Sequence, residues 1–424
     1  MILTIIGFGS VGLNYLCYLV DNYNGDIKLH INIISPYDFF ITGTKYSTFN
    51  NNYLLHKTVQ EMDNNYYDWL CQFYPQYEFE QTSFTPRHIY GQFLLYKFEQ
   101  IKILMQKKNI SHTIIYDLVD DIVNVINPNT QENTLISLTL TNSIVRTDKV
   151  IISIGKDIES VTEISSVKHN LIYCGIFDIW SKQTFTLHQN INAVCYYYNQ
   201  NYLKSPTIIA IIGSGLSSIE LIYNLLQNNF SGKIYCISKT GTFNKTYQEY
   251  NIINNLLTEN DIKNGLNYII KKIKSFLKNN PEHDINDIIA SIDITILWDF
   301  LSDKEKGRFM RHLYPKWNIF ANRISLDIDN ALNEGLKSNK ISLIKGTVYD
   351  INHIDNYNVV YYHSNQNKGA ICSHVVVNGG EINNYFKKNS LMKHLLKHNL
   401  VEYNGLEYKS IDDRIVIANT IIVA

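Results

Sequence analysis

The amino-acid sequence predicts an α/β protein with two Rossmann-like dinucleotide-binding domains, the first discontinuous and the second carrying a helical insertion. The main evidence is a pair of glycine-rich turns, each placed between an apolar strand and a helix with apolar periodicity. The two turns stand about 200 residues apart, which indicates two separate folding units. Apolar strands that run into glycine lie between and after these turns, and they predict further sheet strands.

The first glycine-rich turn begins at residue 7. An apolar strand, Ile2 to Ile6, precedes Gly7-Phe8-Gly9-Ser10-Val11-Gly12, a G-x-G-x-x-G sequence. In this context Gly7 allows the tight turn, Gly9 lets a pyrophosphate approach the backbone, and Gly12 lets the helix pack on the strand. The helix N-terminus at Ser10 then offers unpaired N–H groups to the phosphates.

The second strand of this unit, residues 29–35, ends in an unusual residue for a dinucleotide fold. Such folds usually carry an acid here, which accepts hydrogen bonds from both ribose hydroxyls. This sequence has Ser35, followed by Pro36 and, two residues later, Asp38. A serine can bind a ribose hydroxyl only singly and without charge, so we expect an altered adenosine contact.

A helix predicted to begin at Pro86 carries two candidate functional residues. Proline suits the first turn of a helix, and Arg87 and Tyr90 lie near its start on a different face from the apolar core residues. Arg87 could bind a phosphate or a substrate carboxylate through two hydrogen bonds. The alternative is a surface arginine paired with a nearby glutamate, and the residues alone leave both interpretations open.

Three later segments are predicted to complete the first domain. Thr113 to Thr141 alternates apolar and polar residues in short segments, which predicts a small antiparallel meander. Lys149 to Gly155 predicts an apolar strand that ends in glycine, and its similarity to the corresponding strand of flavoproteins that bind two dinucleotides implies that Gly155 lies near the cofactor. Val375 to Gly380 predicts a second strand of this kind, which would place Asn378 and Gly379 at the same cofactor.

The second glycine-rich turn follows the apolar strand 208–212. It reads Gly213-Ser214-Gly215-Leu216-Ser217-Ser218, so that Gly213, Gly215 and Ser218 occupy the three glycine positions. After the return strand, Lys239 stands where NAD-specific folds carry an acid. A cation at this position favours the 2′-phosphate of NADPH over NADH; the alternative is a solvated lysine in a turn.

Residues from about 245 to 335 predict a helical insertion in the second domain. Ser302 and Glu305 form a capping-box pattern at the start of one helix. His312 follows Arg308 by four residues on one face of that helix, which suits acid–base catalysis or anion binding; a structural histidine is the alternative. The predicted boundaries are 1–160 with 340–424 for the first domain and 161–339 for the second.

Composition excludes several classes of function. The 424 residues include 38 basic and 39 acidic side chains, and this balance favours neither nucleic acid nor an anionic membrane as a partner. Neither a membrane-spanning run nor a signal peptide is expected. The six cysteines lack a C-x-x-C pair, which indicates free thiols and a cytoplasmic protein. The 13 histidines show no metal-ligand spacing, so we expect no metal.

Several of these segments together resemble the bacterial FAD/NAD(P)-binding proteins related to flavin-dependent N-hydroxylating and Baeyer–Villiger-type monooxygenases. The segments are Gly7 to Gly12, Phe84 to Gly91, Gly213 to Glu220 with Ser238-Lys239, Trp298 to His312, Val377 to Gly380 and Ser390 to Leu396. The resemblance implies FAD in the discontinuous first domain and NADPH in the second. It further implies a flavin C4a-hydroperoxide that hydroxylates a small polar metabolite. Because the cofactor carries such chemistry, few protein acids or bases are needed.

Related flavoproteins carry a closing helix after their last strand, which in this sequence spans residues 414–420. The sequence printed here has four residues beyond that strand, so we expect a homodimer that completes this side of the flavin site. Two other functions remain open. One is an NAD(P)H-dependent flavin reductase or dehydrogenase without oxygenation, and the other is a flavin-less nucleotide-binding regulatory or assembly subunit.

Overall fold

The computed structural model describes residues 1–47, 51–126, 133–139, 141, 143–155, 176–178, 207–355, 357–364, 367–378, 389–404 and 407–418. The chain divides into two compact units. The first unit comprises Met1–Asn51, Thr58–Asp157 and Asn384–Ala424, and the second comprises Asn52–Lys57 and Ile158–Asn383. Each unit is therefore discontinuous in sequence, and each is described separately below.

The elements of the described chain run in the following order. The first unit begins with β1 (Ile2–Ile6), α1 (Ser10–Asp21), β2 (His30–Ile34), α2 (Gly43–Tyr46), α3 (Tyr66–Phe73), α4 (Arg87–Lys107), β3 (Ser111–Ile115), β4 (Val119–Ile126), β5 (Asn133–Thr139), β6 (Ile144–Thr147) and β7 (Lys149–Ile152). The second unit contains β8 (Ile176–Asp178), β9 (Ile208–Ile212), α5 (Leu216–Gln227), β10 (Lys233–Ser238), α6 (Glu259–Lys263), α7 (Leu266–Asn279), α8 (Ile285–Ser291), α9 (Ile294–Phe300), α10 (Asp303–His312), α11 (Tyr314–Ala321), α12 (Leu326–Lys337), β11 (Ile341–Lys345), β12 (Thr347–Ile354), β13 (Tyr357–Ser364), β14 (Asn367–Ser373) and β15 (Val375–Asn378). The chain ends in the first unit with α13 (Ser390–Lys397), β16 (Val401–Tyr403), β17 (Tyr408–Ser410) and β18 (Ile415–Ile417).

The first unit is organised around a parallel sheet with the strand order β18-β7-β1-β2-β3. Its β-branched, nearly continuous apolar strands are typical of a sheet that is covered on both faces. The antiparallel meander β4-β5-β6 leads into β7. Residues of the meander, of α13 and of the sheet share one core, which includes Ile122, Leu135, Leu395 and Ile152.

The second unit repeats this arrangement. Its parallel sheet has the order β8-β15-β9-β10-β11, and its meander β12-β13-β14 leads into β15 as the first meander leads into β7. The cores also correspond, because the meander residues Ile351, Val360 and Ile371 pack on Ala210 and Val376 of the sheet. The two units are thus two copies of one architecture.

Two strand assignments predicted from the sequence are wrong. Residues 113–116 were expected in the meander, but Ser111–Ile115 pairs in parallel with β2. Residues 375–378 were expected to return to the first domain, but they pair with β9 in the second sheet. Strand β11, which was also expected in the first domain, pairs with β10 in the same second sheet. The predicted boundary at residue 340 is therefore wrong, because the chain returns to the first unit only at about residue 384.

A short strap, defined here as Asn52–Lys57, belongs to the second unit although the residues on both sides of it belong to the first. Asn52 Nδ2 donates to Asn224 Oδ1 of α5 at 3.1 Å, and His56 Nε2 lies 3.4 Å from Glu220 Oε1. Leu54 packs against the core of the second unit. The strap thus supplies polar partners to two buried polar residues of α5. Burying these residues without such partners would cost free energy.

The helical insertion extends from α6 to α11, and local capping explains several of its helix starts. Thr258 and Asp284 accept hydrogen bonds from first-turn N–H groups of α6 and α8. The capping box predicted at Ser302 is confirmed, since Ser302 Oγ donates to Glu305 Oε2 at 2.8 Å. No helix in the described part of the chain combines the length and the apolarity that crossing a bilayer requires.

Candidate functional site

The first glycine-rich turn joins β1 to α1 in a conformation that only glycine suits. Gly7 has φ +79°, and a Cβ there would lie 2.7 Å from the carbonyl oxygen of Ser153. Gly7 N–H donates to Ile34 O at 2.8 Å, so this residue lies between the ends of β7 and β2. The predicted reason for Gly7, a tight turn, is therefore correct, and close approach to β7 adds to it.

Gly12 allows α1 to pack closely on this turn. A Cβ on Gly12 would lie 2.6 Å from Gly7 O and 2.9 Å from Ser153 Oγ. Ser153 Oγ itself donates to Gly7 O, and Ser153 is buried. Ser153 is thus the residue at the end of β7 that fixes the turn, and sequence analysis missed it. Gly155, which was predicted instead, is exposed, with open space where its Cβ would point.

Gly9 differs from Gly7 and Gly12 because nothing in the protein forbids a side chain there. Its nearest neighbour is Gly43, at an ordinary contact distance of 3.5 Å from a Cβ on Gly9. Ile41 N–H donates to Phe8 O at 2.6 Å, which holds the 41–43 segment against the turn. Ile41 is buried with φ +69°, a strained conformation for a β-branched residue that its surroundings must maintain.

The start of α1 has the properties of a phosphate-binding site. Its N-cap is Gly9, which supplies no side-chain hydrogen bond, and its first turn contains no acidic residue. The first N–H groups of a helix lack intrahelical acceptors and carry a partial positive charge. Ser10 is the first residue of this helix. A pyrophosphate would satisfy these donors, so the residues present fit the diphosphate of a dinucleotide.

The predicted ribose position, Ser35, lies at the carboxyl end of β2. It is buried, and its N–H donates to Ile115 O of β3 at 3.1 Å. The residues after it form a short 3₁₀ turn, Tyr37–Phe39, that contains the exposed Asp38. The side chain of Ser35 therefore lies largely within the protein, where it offers little to a ribose.

Arg87 and Tyr90 are both buried at the start of α4. Tyr90 packs against the rings of Tyr46 and Tyr66, each at 5.0 Å between centroids. Burial raises the pKa of Tyr90 and of Tyr46, and the charge of Arg87 partly opposes the rise at Tyr46. Tyr90 therefore stays protonated as part of an aromatic core, and the interpretation of Arg87 as a surface residue is wrong.

Gly91, in the same segment as Arg87 and Tyr90, lies where α4 packs closely on a neighbouring backbone. A Cβ on Gly91 would lie 2.5 Å from Tyr46 O. Helix α4 thus packs directly on the backbone of the 42–46 segment, which in turn contacts the first glycine-rich turn through Gly43. The sequence motif from Phe84 to Gly91 therefore supports the phosphate loop by packing.

The second glycine-rich turn repeats the backbone pattern of the first. Gly213 has φ +97° and donates to Ile237 O at 2.8 Å, as Gly7 does to Ile34. Gly215 is the N-cap of α5, again without a side-chain cap or an acid in the first turn. A Cβ on Gly215 would meet nothing within 4 Å. The helix start is open, so a second pyrophosphate fits here.

Ser218 takes the place of the third glycine but does not face the open side of the turn. Its side chain is fully buried, and Oγ has no hydrogen-bond partner among the described residues. Ser214 is the residue that ties this turn to the loop after β10, since its Oγ donates to Thr242 O at 2.7 Å. The structure therefore gives Ser218 a packing role, and the prediction of direct cofactor contact is not supported.

Two lysines meet at the carboxyl ends of β10 and β11. Ser238 pairs with Lys345 in the parallel register, and the exposed Lys239 follows Ser238. Gly241 has φ +65°, and a Cβ on it would lie 2.7 Å from Lys345 Cβ. Lys345 is also exposed. The edge that was predicted to carry one cation therefore carries two.

The remaining predicted residues are His312, Asn378 and Gly379. His312 is exposed on the last turn of α10. Asn378 ends β15 and pairs with Ile212, the residue before Gly213, so its backbone lies beside the second turn and not, as predicted, in the first domain. Gly379 lies outside the described residues. Within the part of the chain that the structure describes, no group of three or more His, Cys, Asp or Glu side chains could hold a metal ion.

Comparison with known proteins agrees with this geometry. Residues 4–157 match a family model described as FAD-NAD(P)-binding. The reduced form of ornithine hydroxylase from Pseudomonas aeruginosa has 12% identity and a TM-score of 0.59, over 98% of this chain and 91% of that chain. The FAD-bound cadaverine monooxygenase from Erwinia amylovora has 12% identity and a TM-score of 0.59, over 99% and 87%.

A third solved structure, L-lysine 6-monooxygenase from Pseudomonas syringae, has 12% identity and a TM-score of 0.58, over 98% of this chain and 91% of that chain. These structures confirm the predicted fold class, an α/β fold with two dinucleotide-binding domains. A sequence search of curated proteins gives no significant match.

Proposed function

We propose that the protein is an FAD- and NADPH-dependent oxidoreductase, with FAD in the first unit and NADPH in the second. The main observation behind the proposal is that two glycine-rich turns share one backbone geometry. Each turn joins a strand of a parallel sheet to the helix that follows it. Each turn has a glycine in the left-handed region, at Gly7 and Gly213, and an uncapped helix start free of acids. The match of residues 4–157 to an FAD-NAD(P)-binding model supports a dinucleotide at the first turn.

In the first unit, the N–H groups at the start of α1 would bind the FAD pyrophosphate. Gly9 leaves room for it, while Gly7 and Gly12 keep the turn against β7. Ser10 adds a hydroxyl at the same helix start. The chemistry that a bound flavin supplies is the acceptance of hydride from NADPH and the reaction with molecular oxygen.

In the second unit, Gly215 and the start of α5 would bind the NADPH pyrophosphate. Lys239 and Lys345 stand at the edge where a 2′-phosphate lies when the pyrophosphate occupies the helix start. Each ammonium can donate a charge-assisted hydrogen bond to a phosphate oxygen. An acid at this edge would instead select NADH, and the described residues here present none with that placement.

We further propose that the reaction is the hydroxylation of an amine nitrogen in a small polar metabolite. Support comes from the similarity over nearly the whole chain to a hydroxylase of ornithine and to monooxygenases of cadaverine and L-lysine. A monooxygenase of this kind consumes one NADPH and one oxygen per hydroxylamine formed. A reductase consumes NADPH and oxygen but releases only peroxide.

The first test is the visible spectrum of purified protein, followed by addition of NADPH in air. We expect a flavin spectrum near one equivalent, bleaching by NADPH and recovery as oxygen is consumed. Screening amines such as ornithine, lysine and cadaverine for hydroxylamine formation then tests oxygen transfer. Peroxide in place of every hydroxylamine would favour the reductase, and a colourless protein that takes up no FAD would favour the nucleotide-binding regulatory subunit.

A further inference from the structure

The carboxyl ends of β2 and β3 present two exposed tyrosines whose rings meet edge to face. Tyr37 is 74% exposed and Tyr116 is 52% exposed, and their ring centroids are 5.1 Å apart at an interplanar angle of 79°. Tyr37 lies in the 3₁₀ turn after β2, and Tyr116 is the first residue after β3. We call this pair the tyrosine platform.

The platform lies at a defined position relative to the first glycine-rich turn. β2 is the neighbour of β1 in the sheet and β3 is the neighbour of β2, so their carboxyl ends form one edge. In a dinucleotide fold with its pyrophosphate on the first turn, the adenosine lies over the end of the second strand. The platform therefore stands where an adenosine extends, beside Ser35.

Contacts behind the platform make it rigid. Tyr116 packs edge-on against Phe40 at 5.3 Å, and Phe40 stacks on Phe8 at 5.3 Å. Phe8 is itself buried within the first glycine-rich turn. A continuous row of aromatic rings thus joins the phosphate-binding turn to the platform, and the geometry of the turn fixes the position of the tyrosines.

The turn after Tyr116 is fixed independently by Asp117. Leu118 N–H donates to Asp117 Oδ1 at 2.7 Å, and Thr141 donates to Oδ2 from both its N–H at 3.1 Å and its Oγ1 at 2.5 Å. A side chain held by such a turn loses little conformational entropy when a ligand binds. The backbone that carries Tyr116 is therefore fixed before a ligand binds.

We propose that Tyr37 and Tyr116 bind the adenine ring of FAD, one tyrosine stacking on its face and the other, nearly perpendicular, contacting its edge, and that this contact replaces the ribose–carboxylate interaction which the serine at position 35 cannot make. The inference rests on the proposed function, since it requires FAD in the first unit. Stacking on an aromatic side chain does not depend on a charged partner, so it suits a site without an acid.

The test is titration calorimetry of FAD into flavin-free protein, with wild type, Tyr116→Ala, Tyr37→Ala and Tyr116→Phe compared. We expect each alanine variant to bind FAD about tenfold more weakly, because loss of one aromatic contact to the base has an effect of that size. Tyr116→Phe keeps the ring and should bind within twofold of wild type. Tyr18→Ala removes a tyrosine that is 70% exposed on α1 and serves as the matched control.

A second titration with FMN, which lacks the adenosine, separates this contact from effects on the phosphate-binding turn. The alanine variants should leave FMN affinity unchanged. Wild type that binds FAD, together with alanine variants that bind it equally well, would overturn the inference and leave the proposed function intact. Wild type that does not bind FAD would overturn both. If Tyr116→Ala fails to fold, Tyr37→Ala decides the question, because Tyr37 is the more exposed of the two.

Discussion

At Gly7 the first turn accepts no side chain larger than hydrogen, for two separate reasons. The backbone is left-handed, and a Cβ would overlap the carbonyl of Ser153. Gly215, in the second turn, has neither constraint, since its φ is −75° and the space around a Cβ is open. The glycines of one motif are thus required for different reasons, by the protein itself in the first case and by the ligand in the second.

Gly7→Ala should lower the free energy of unfolding by about 2–4 kcal/mol, the sum of a left-handed alanine and an overpacked contact. Gly25→Ala is the matched control. Gly25 has φ +89° but no neighbour within 4 Å of a Cβ, so only the conformational part, about 1 kcal/mol, should remain. Urea denaturation measures both variants, and equal losses would show that contact with Ser153 does not matter.

Gly215→Ala should leave the stability of the ligand-free protein within about 0.5 kcal/mol of wild type, because the added methyl group meets nothing. NADP⁺ should bind at least about tenfold more weakly, since the methyl group occupies the approach of the pyrophosphate. Calorimetric titration with NADP⁺ and, separately, with FAD gives both affinities. An unchanged NADP⁺ affinity would exclude this turn as the phosphate site.

At the scale of elements, the pairing of β10 with β11 gives the second unit its two-lysine edge. Either lysine replaced by alanine should lower the kcat/KM for NADPH about tenfold and leave that for NADH nearly unchanged, because only NADPH carries the 2′-phosphate. Lys337→Ala, an exposed lysine in the last turn of α12, is the control. Equal losses with both nucleotides would place the lysines outside the 2′-phosphate site.

Glu305 joins two helix starts within the helical insertion. It accepts hydrogen bonds from Leu266 N–H at 2.9 Å and from Ser302 Oγ at 2.8 Å. These bonds, that of Leu266 foremost, hold the pKa of Glu305 below its usual range. Its contribution to stability is therefore complete above the unfolded pKa of about 4.3 and is lost as the pH falls through the lower folded value.

Glu305→Gln should therefore lower the free energy of unfolding at pH 7 by about 1 kcal/mol, as the loss of a helix cap does. The same variant should lose less stability than wild type between pH 7 and about pH 3.5, because the amide does not titrate. Glu259→Gln is the control, since its carboxylate is 75% exposed and 3.9 Å from Lys263. Urea titrations at both pH values measure the difference.

At the scale of the whole molecule, two copies of one architecture carry two turns of one design, and the ligands should distinguish them. FAD added to the flavin-free protein should slow amide hydrogen exchange at residues 7–13 and not at residues 213–219. NADP⁺ should do the reverse, because the lysine pair belongs to the second unit alone. Hydrogen exchange followed by mass spectrometry reads both regions in one experiment, and protection of both turns by FAD alone would contradict the assignment.

The two strand–turn–helix units could be predicted from the sequence, but the strands that complete each sheet could not. Turn, strand and helix signals at Gly7 and Gly213 are local, so they are visible in a short window. The residues of an apolar strand such as Val375–Asn378 do not indicate which sheet it joins, because that depends on its pairing with the distant strand β9. Placing residues 340–424 in the first domain separated Lys345 from Lys239, just as assigning residues 113–116 to the meander separated Tyr116 from Tyr37.

The strap has a consequence for the order in which the protein can be made. Asn52 and Asn224 are 172 residues apart in the chain, so at roughly 5–20 residues per second about 10–30 s of synthesis separate them. Leu54, which packs against the core of the second unit in the finished protein, cannot reach this position until α5 has been synthesised. The second unit therefore cannot fold completely from residues 158–383 alone. The strap, which is synthesised much earlier, must remain unfolded until α5 has been translated.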